Sequence, residues 1–393
     1  MIIVITASVA FIVSTLVFPK LLLFAKKHHI VDSPNARKLH RTPIPVLGGV
    51  AVYLGILMGY LVLASFSEDP IISWSLVAIT FMQIIGVWDD INDLPAKIRF
   101  IVEILLMGAI IAISGIYVDD FHGFLGIGYL NTFVAIILSV FAGVGIINAI
   151  NMIDGIDGYV SGYCVSACLC FAILFLVTEE TVMACMATVV AASLLPFFFH
   201  NVFGMKSKMF IGDGGTMMLG VLLALFFLFT LSSKSKCSIL ETKNVGLLAL
   251  ALAVMCIPVF DTLRVMIFRI FQRRSPFRPD KTHLHHLFIE MGFSHLGATI
   301  SIISINISIV LIWLVVWKVG LSIEWQTYIV ILLGIMVTFG FYKLMKVQQF
   351  GGGLDENGHP QGTDLWRFFL KLGTKSHIEK GKFWRTICWL MER

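Results

Sequence analysis

The chain has 393 residues, of which 58% are hydrophobic and only 13% are charged, and its mean hydropathy is +0.91. Soluble domains carry about twice that share of charged residues, so these values exclude a soluble globular protein and identify lipid as the main solvent. The net charge of +5 does not indicate a nucleic-acid partner, because the basic residues are distributed along the chain and form no single block.

Eleven apolar stretches are long enough to cross a bilayer as helices. The first lacks a basic leading region and a small-residue cleavage site, which favours a membrane-spanning helix over a cleaved signal peptide. The sequence therefore predicts an all-α polytopic membrane protein with its termini on opposite sides. The predicted spans are 2–24, 47–66, 71–88, 98–117, 129–147, 159–177, 181–199, 214–233, 244–268, 297–317 and 326–345.

The Lys and Arg residues predict the orientation of these spans. If the N-terminus is outside, and residues near the end of a span are counted with the adjacent segment, the cytoplasmic segments hold about 25 of the 29 Lys and Arg residues. We therefore expect a transmembrane catalytic domain over 1–345 in a bacterial inner membrane, and a cytoplasmic tail over 346–393. The predicted cytoplasmic loops are 25–46, 89–97, 148–158, 200–213 and 269–296.

The tail mixes aromatic with basic residues. That composition is typical of an amphipathic segment on anionic lipid, and the alternative is a docking surface for a partner protein. The aromatic residues that carry the pattern are Trp366, Phe368, Phe369, Trp384 and Trp389.

The first polar cluster, 32–49, holds the basic residues Arg37, Lys38, His40 and Arg41. Its two interpretations are an ordinary cytoplasmic loop and a binding site for a lipid phosphate at the membrane surface.

The second cluster, 86–100, places Asp89 and Asp90 at the end of an apolar helix, with Asp93 behind them. Adjacent carboxylates there repel each other and face the negative end of the helix dipole. A bound divalent cation would relieve this, whereas the alternative is a solvated helix end.

The third cluster, 148–158, contains Asn148, Asn151, Asp154 and Asp157 at intervals of three. That spacing drifts by about 60° per step on a straight helix, so the four side chains predict a break or turn. Polar residues between two apolar spans are costly, which favours a functional role.

The fourth cluster, 201–216, places Asp213 among glycines at the start of the next apolar helix. A glycine-rich helix N-terminus favours an anion such as a phosphate, and the aspartate would hold a metal that bridges to it.

The fifth cluster, 273–286, contains His283, His285 and His286 near Arg278. Histidines suggest zinc, but the HExxH spacing is missing. Magnesium prefers oxygen ligands, so we expect these histidines to contact phosphate and sugar.

Together the five segments resemble the polyprenyl-phosphate N-acetylhexosamine-1-phosphate transferase family, in the family's order, from Asp32 to His295. The RKLHRTP stretch, 37–43, is similar to the family's first cytoplasmic loop. The motif positions that match are Asp89, Asp90 and Leu94 of DDxxxL; Asn148, Asn151, Asp154, Gly155, Asp157 and Gly158 of NxxNxxDGxDG; Asp213 of GDxGS, with Thr216 in place of serine; and His283, His285 and His286 of HxHH.

The resemblance implies an eleven-helix membrane enzyme that depends on Mg²⁺, with Mn²⁺ as an alternative. Polyprenyl phosphate would attack the β-phosphorus of a UDP-sugar, UMP would leave, and the lipid-linked sugar would start a surface glycan. N-acetylglucosamine is the expected sugar, and a 2-acetamido-6-deoxy sugar is the alternative. The expected partners are the UDP-sugar, the lipid and the bilayer; nucleic acid is not expected, and a homodimer is compatible with the sequence.

The motifs and their charges assign expected roles to individual residues. By resemblance, Phe210 stacks on uracil and Asn201 lies in the nucleotide pocket. The expected catalytic residues are Asp89, Asp90, Asp154, Asp157 and His285; the expected substrate-binding residues are Arg37, Lys38, Lys97, Asn148, Asn151, Asn201, Phe210, Arg278, His283 and His286; and the expected metal ligands are Asp213, Asp89 and Asp90.

Several alternatives stay open. Asp89 or Asp157 could act as a general base, but a phosphate monoester has a second pKa of about 6, so we expect orientation and metal binding instead. A two-step route through an aspartyl intermediate competes with a single displacement. The rival functions are the muramoyl-pentapeptide transferase of peptidoglycan synthesis, a polytopic transporter and a CDP-alcohol phosphotransferase.

Overall fold

The computed structural model describes residues 1–32, 42–276, 281–351 and 362–375. Within these ranges, strand pairing is limited to the two-residue antiparallel strands β1 (Val31–Asp32) and β2 (Ile44–Pro45) and one isolated bridge. Two 3₁₀ segments and one π-helical segment interrupt the α-helices: Phe124–Gly126, Lys236–Lys243 and Met336–Phe341. The α-helices are α1 Ile2–Lys27, α2 Gly48–Ala64, α3 Pro70–Asn92, α4 Ala96–Ser114, α5 Thr132–Met152, α6 Tyr159–Val177, α7 Thr181–Phe203, α8 Gly212–Leu231, α9 Leu247–Val254, α10 Cys256–Phe271, α11 Leu284–Glu290, α12 His295–Lys318, α13 Ile323–Ile335, α14 Tyr342–Phe350 and α15 Asp364–Lys375.

Eight helices in the described part of the chain are long and apolar enough to cross a membrane. They are α1, α3, α5, α6, α7, α8, α12 and the continuous run Ile323–Phe350. The bent pair Lys236–Lys243 and Leu247–Val254 raises the number to nine, and α2 is apolar but has only 17 residues. An all-α polytopic membrane protein is thus supported, whereas the number of eleven spans and the orientation stay predictions.

The predicted span 244–268 is divided into two helices. α9 ends and α10 begins at Met255, where the regular helical hydrogen bonding is interrupted. Asn306 of α12 donates to the carbonyl of Val254 at 3.0 Å and accepts from the Ile257 amide at 3.0 Å. A break inside lipid is tolerated when side chains satisfy the freed backbone groups, and Asn306 does so here.

The core of the bundle is built around α8. Its residues 214–231 are all buried, and its sequence is apolar on every side, as expected of a helix surrounded by protein. By contrast, only 22% of the most apolar segment of α1 is buried inside the protein, so most of α1 faces lipid. α8 packs against α2, α3 and α5, and this packing brings the ends of these helices together.

Glycines let the backbones of these helices touch near the start of α8. A Cβ atom added at Gly86 of α3 would lie 2.3 Å from the Cα of Gly214. A Cβ added at Gly49 of α2 would lie 2.5 Å from the Cα of Gly215. The close approach places Asp213 directly beside the C-terminal turn of α3, where Asp89 and Asp90 lie.

We expect Gly86→Ala to lower the melting temperature of the purified protein, because the new methyl group meets backbone that has no room to yield. Overpacking of this kind costs about 1–3 kcal/mol. Gly108→Ala in α4 is the matched control, since nothing lies within 4 Å of its added Cβ. Equal melting temperatures for the two variants would contradict the tight crossing of α3 and α8.

Candidate active site

Polar side chains from several loops meet at one end of the bundle. They come from the C-terminal ends of α3 and α5, the loop 153–158, the segment before α8, and the first turns of α4 and α12. The opposite end has its own polar contacts, such as the Asp119 carboxylate that accepts from the Ser233 amide at 2.9 Å. The second to fifth clusters therefore lie at one end of the bundle, and the assignment of that end to the cytoplasmic side stays a prediction. Arg37, Lys38 and Arg278 lie outside the described residues.

Arg99 joins the second cluster to the fourth. Its Nη1 donates to Asp89 Oδ2 at 2.5 Å and to Asp213 Oδ2 at 3.1 Å. Asp89 is buried, and its Oδ1 accepts from the Leu94 amide at 2.7 Å. Arg99 thus offsets part of the carboxylate repulsion at this helix end, and a divalent cation here stays a prediction. Sequence analysis missed Arg99, although a basic residue just after two carboxylates was the available signal.

Asp90 is engaged with the start of α8. Its Oδ1 accepts from the Asp213 amide at 2.8 Å, and its Oδ2 lies 3.4 Å from the Gly214 amide nitrogen. A carboxylate at a helix N-terminus is stabilised by unpaired N–H groups and by the dipole. This placement lets Asp90 orient the backbone of Asp213, and metal binding by Asp90 stays a prediction.

Two asparagines of α5 hold carboxylates in place. Asn151 Nδ2 donates to Asp213 Oδ1 at 2.9 Å and to Thr216 Oγ1 at 2.8 Å, so threonine fills the serine position of the motif with its hydroxyl engaged. Asn148 Nδ2 donates to Glu103. The side-chain nitrogens of Asn148 and Asn151 both donate to protein oxygens. The predicted contacts of these residues with substrate would therefore be made by their side-chain carbonyl oxygens.

A second charged group surrounds Asp157. Its Oδ2 lies 2.6 Å from Lys208 Nζ and 2.9 Å from His295 Nδ1. Burial alone would raise the pKa of Asp157, but the hydrogen bonds and charges of His295 and Lys208 outweigh it and hold the pKa below its usual value. Asp157 is therefore an ionised anchor that holds the Lys208 ammonium group and the His295 imidazole at the site. Neither Lys208 nor His295 was singled out in the sequence.

Asp154 and Asp213 are the carboxylates of the site that remain open to solvent. Asp154 is exposed, and the side chain of Asp213 is 38% exposed. The surrounding protein, together with the negative charges of Asp213, Asp157 and Asp32, raises the pKa of Asp154 to about 7. A second negative charge beside Asp213 is thus unfavourable, and a cation bound in the opening between the two carboxylates would relieve the repulsion.

Asn201 and Phe210 form part of the wall beside this opening. Asn201 Oδ1 accepts from the Gly158 amide at 2.7 Å and its Nδ2 donates to the Met209 carbonyl at 3.0 Å, so it ties two loops together. The half-buried ring of Phe210 lies 5.8 Å from Lys208 Nζ. Stacking of Phe210 on uracil stays a prediction, while Asn201 braces the wall. Lys97 is exposed, two residues before Arg99.

The fifth cluster is supported by a buried charged network. Asp261 of α10 accepts from His283 Nδ1 at 2.9 Å and pairs with Arg264 Nη2 at 2.6 Å. It also accepts from the Leu284 amide, and Arg264 donates to the Thr282 carbonyl at 2.6 Å. The buried ring of His283 is therefore held by Asp261 through Nδ1, and its contact with substrate stays a prediction.

His285 lies against the loop 153–158. A Cβ added at Gly155 would lie 2.2 Å from His285 Nε2, so only glycine fits there. His285 is buried, and neither ring nitrogen has a hydrogen-bond partner among the described residues. Burial, together with the charges of His286 and His283, lowers the pKa of His285 well below its usual value. A neutral imidazole thus borders the loop that carries Asp154 and Asp157.

The donor atoms fit a magnesium ion that arrives with its phosphate ligands. Within the described residues, no three His, Cys, Asp or Glu side chains converge as a ready-made metal site. Magnesium needs only one or two carboxylates when substrate phosphates and waters complete its shell. Asp154 is exposed and the side chain of Asp213 is 38% exposed, so both could offer an oxygen of that kind, although the Asp213 oxygens also accept from Asn151 and Arg99.

Comparisons with known proteins agree with these motifs. Residues 72–231 match the family model of glycosyl transferase family 4. The chain is 31% identical over 320 residues to a Bacillus subtilis (strain 168) protein named "Probable undecaprenyl-phosphate N-acetylglucosaminyl 1-phosphate transferase", covering 78% of this chain and 86% of that protein. It is 30% identical over 298 residues to the undecaprenyl-phosphate alpha-N-acetylglucosaminyl 1-phosphate transferase of Escherichia coli O157:H7, covering 72% and 77%.

Proposed function

Because the chain belongs to glycosyl transferase family 4, we propose that it transfers N-acetylglucosamine 1-phosphate from UDP-N-acetylglucosamine to undecaprenyl phosphate and releases UMP. The observation that carries the proposal is the meeting of Asp213, Asp154 and the Asp157–Lys208–His295 group at one membrane face. The charge distribution of the loops supports a cytoplasmic position for that face, at a bacterial inner membrane, where both substrates could reach it.

The start of α8 is suited to the donor diphosphate. A helix N-terminus attracts anions, and the glycines beside Asp213 allow phosphate oxygens to approach the backbone. Magnesium bound at Asp213, with Asp154 beside it, would neutralise the diphosphate and polarise its β-phosphorus. Asn151 and Arg99 donate to the Asp213 carboxylate and Asp90 accepts from the Asp213 amide, so the carboxylate would not have to reorganise during the reaction.

Lys208 and His295 are suited to the acceptor phosphate. Both are held by Asp157 at the edge of the bundle, where a lipid phosphate could reach them from the membrane surface. The acceptor is largely deprotonated at neutral pH, so no residue has to remove a proton. We therefore favour a single in-line displacement in which these side chains orient two anions that repel each other.

Purified protein in lipid, given undecaprenyl phosphate, Mg²⁺ and a panel of UDP-sugars, tests the proposal. UMP should be released with UDP-N-acetylglucosamine, and a lipid diphospho-sugar should form in equal amount. Turnover of the muramoyl-pentapeptide donor instead would support the peptidoglycan enzyme. Exchange of labelled substrate across vesicles without UMP release would support a transporter.

We expect His285→Ala to raise the KM for the UDP-sugar about tenfold while the protein still inserts and folds. Removing the ring leaves a cavity beside Gly155, so the loop that carries Asp154 and Asp157 loses its support. Steady-state kinetics with each substrate varied in turn measures the effect. His122→Ala at the opposite end of the bundle is the control. Unchanged kinetics in the His285 variant would assign this histidine to packing alone.

A further inference from the structure

The helix α15 presents three different faces. Trp366, Phe369 and Gly373 face the protein and are buried or half-buried. A second face is polar. At 100° per residue, positions 365, 368 and 372 form a third, separate stripe. Its side chains are Leu365, Phe368 and Leu372, which are 40%, 59% and 46% exposed.

The start of α15 lies at the end of a lipid-facing helix. The Thr363 amide donates to the Gln348 carbonyl at 2.9 Å, which fastens it to the last turn of α14. The run Ile323–Phe350 spans the membrane and is mostly unburied, and Val347 and Phe350 are exposed on its final turns. The stripe of α15 therefore begins where the apolar surface of a membrane span ends.

The polar face of α15 carries two exposed basic residues, Arg367 and Lys371. An exposed apolar stripe next to basic residues is the pattern of a helix that lies in the surface plane of a bilayer. A fully water-exposed helix would leave three large apolar side chains in contact with solvent.

We propose that α15 binds the bilayer surface, with Leu365, Phe368 and Leu372 among the acyl chains and with Arg367 and Lys371 near anionic headgroups. The helix also supports the histidine segment. A Cβ added at Gly373 would lie 2.3 Å from the carbonyl oxygen of Met291, in the turn that directly follows α11. The bilayer thus braces α11, which carries His285 and His286, through α15.

Spin labels on the full-length protein in vesicles test where the stripe lies. A nitroxide is attached at Phe368→Cys or at Lys371→Cys, and the spectrum of label on native cysteines is subtracted. The label at 368 should be relaxed mainly by oxygen, which concentrates in lipid, and the label at 371 by a water-soluble nickel complex. Nickel access at 368 would place the stripe in water, and access to neither relaxer would place it under a second copy or another part of the chain. Either result overturns the proposal.

Kinetics tests the brace. The triple variant Leu365→Ser, Phe368→Ser, Leu372→Ser should raise the KM for the sugar donor about three- to tenfold. The control Asp364→Asn, Thr374→Ser changes the polar face but keeps the stripe and both basic residues, and it should leave that KM within about twofold. Equal KM values in both variants would refute the brace. The spin-label result does not depend on catalysis, so it stands even if the proposed reaction is wrong.

Discussion

Asp213→Asn is expected to lower UMP release on the order of a thousandfold. The amide is nearly isosteric, so the start of α8 and its cap from Asp90 should survive. The substitution removes the negative charge of Asp213, which is the one motif aspartate that is both partly exposed and held by Asn151 and Arg99. Without it, the ion that offsets the diphosphate charge loses its ligand, and electrostatic stabilisation of this kind is worth hundreds- to thousands-fold in rate.

The measurement is UMP release as a function of Mg²⁺ concentration, with donor binding followed by calorimetry. Donor binding should survive in part, because the wall around Phe210 is unchanged. Asp119→Asn, at the opposite end of the bundle, controls for general effects of removing a buried or paired carboxylate. Near-normal turnover in Asp213→Asn would refute the assignment of this residue to the metal.

The location of the site could be predicted from the sequence, because every second loop between membrane-spanning helices lies on the same side of the membrane. Hydropathy placed Asp89, Asp154, Asp213 and His285 on the same side, and the structure confirms that their loops meet. The bundle itself follows from the same signal, since long apolar stretches have few structures other than helices in lipid.

The pairing of residues at the site could not be predicted, because it depends on how the helices cross. Nothing in the spacing shows that Arg99 reaches Asp213, 114 positions away. That contact depends on the glycine approach of α3 to α8, and a glycine pair is visible only once the helices are known to be neighbours. Asp261 and Arg264 did carry a signal, since charged residues inside an apolar stretch are rare and usually functional.

Most of the motif residues are engaged with other protein groups, and few face the cleft. Asp90, Asn151 and Asp89 each hold or neutralise another group, whereas Asp213 and Asp154 remain open. In the proposed reaction two anionic substrates approach each other here, so misplaced charges would lower the rate directly. Most of the motif residues therefore serve to hold the charged groups of the site in fixed positions.

The network around Asp261 allows positioning to be separated from stability. We expect Asp261→Leu alone to destabilise the protein by about 3–5 kcal/mol, because it leaves the buried guanidinium of Arg264 without its carboxylate. The double variant Asp261→Leu, Arg264→Met removes both charges. Replacing a buried ion pair by apolar residues of similar volume is often neutral, so the melting temperature should largely recover.

Activity should not recover with it. In the double variant His283 and the Leu284 amide still lack their acceptor, so the segment that carries His285 loses its anchor on α10. A displacement of about 1 Å near the reacting groups costs roughly a hundredfold in rate. When both are measured on the same preparations of the double variant, the melting temperature should therefore recover while UMP release stays low. If both return together, the network serves only to hold the fold, and the histidine segment must be positioned from its other side, where α14 and α15 pack against it.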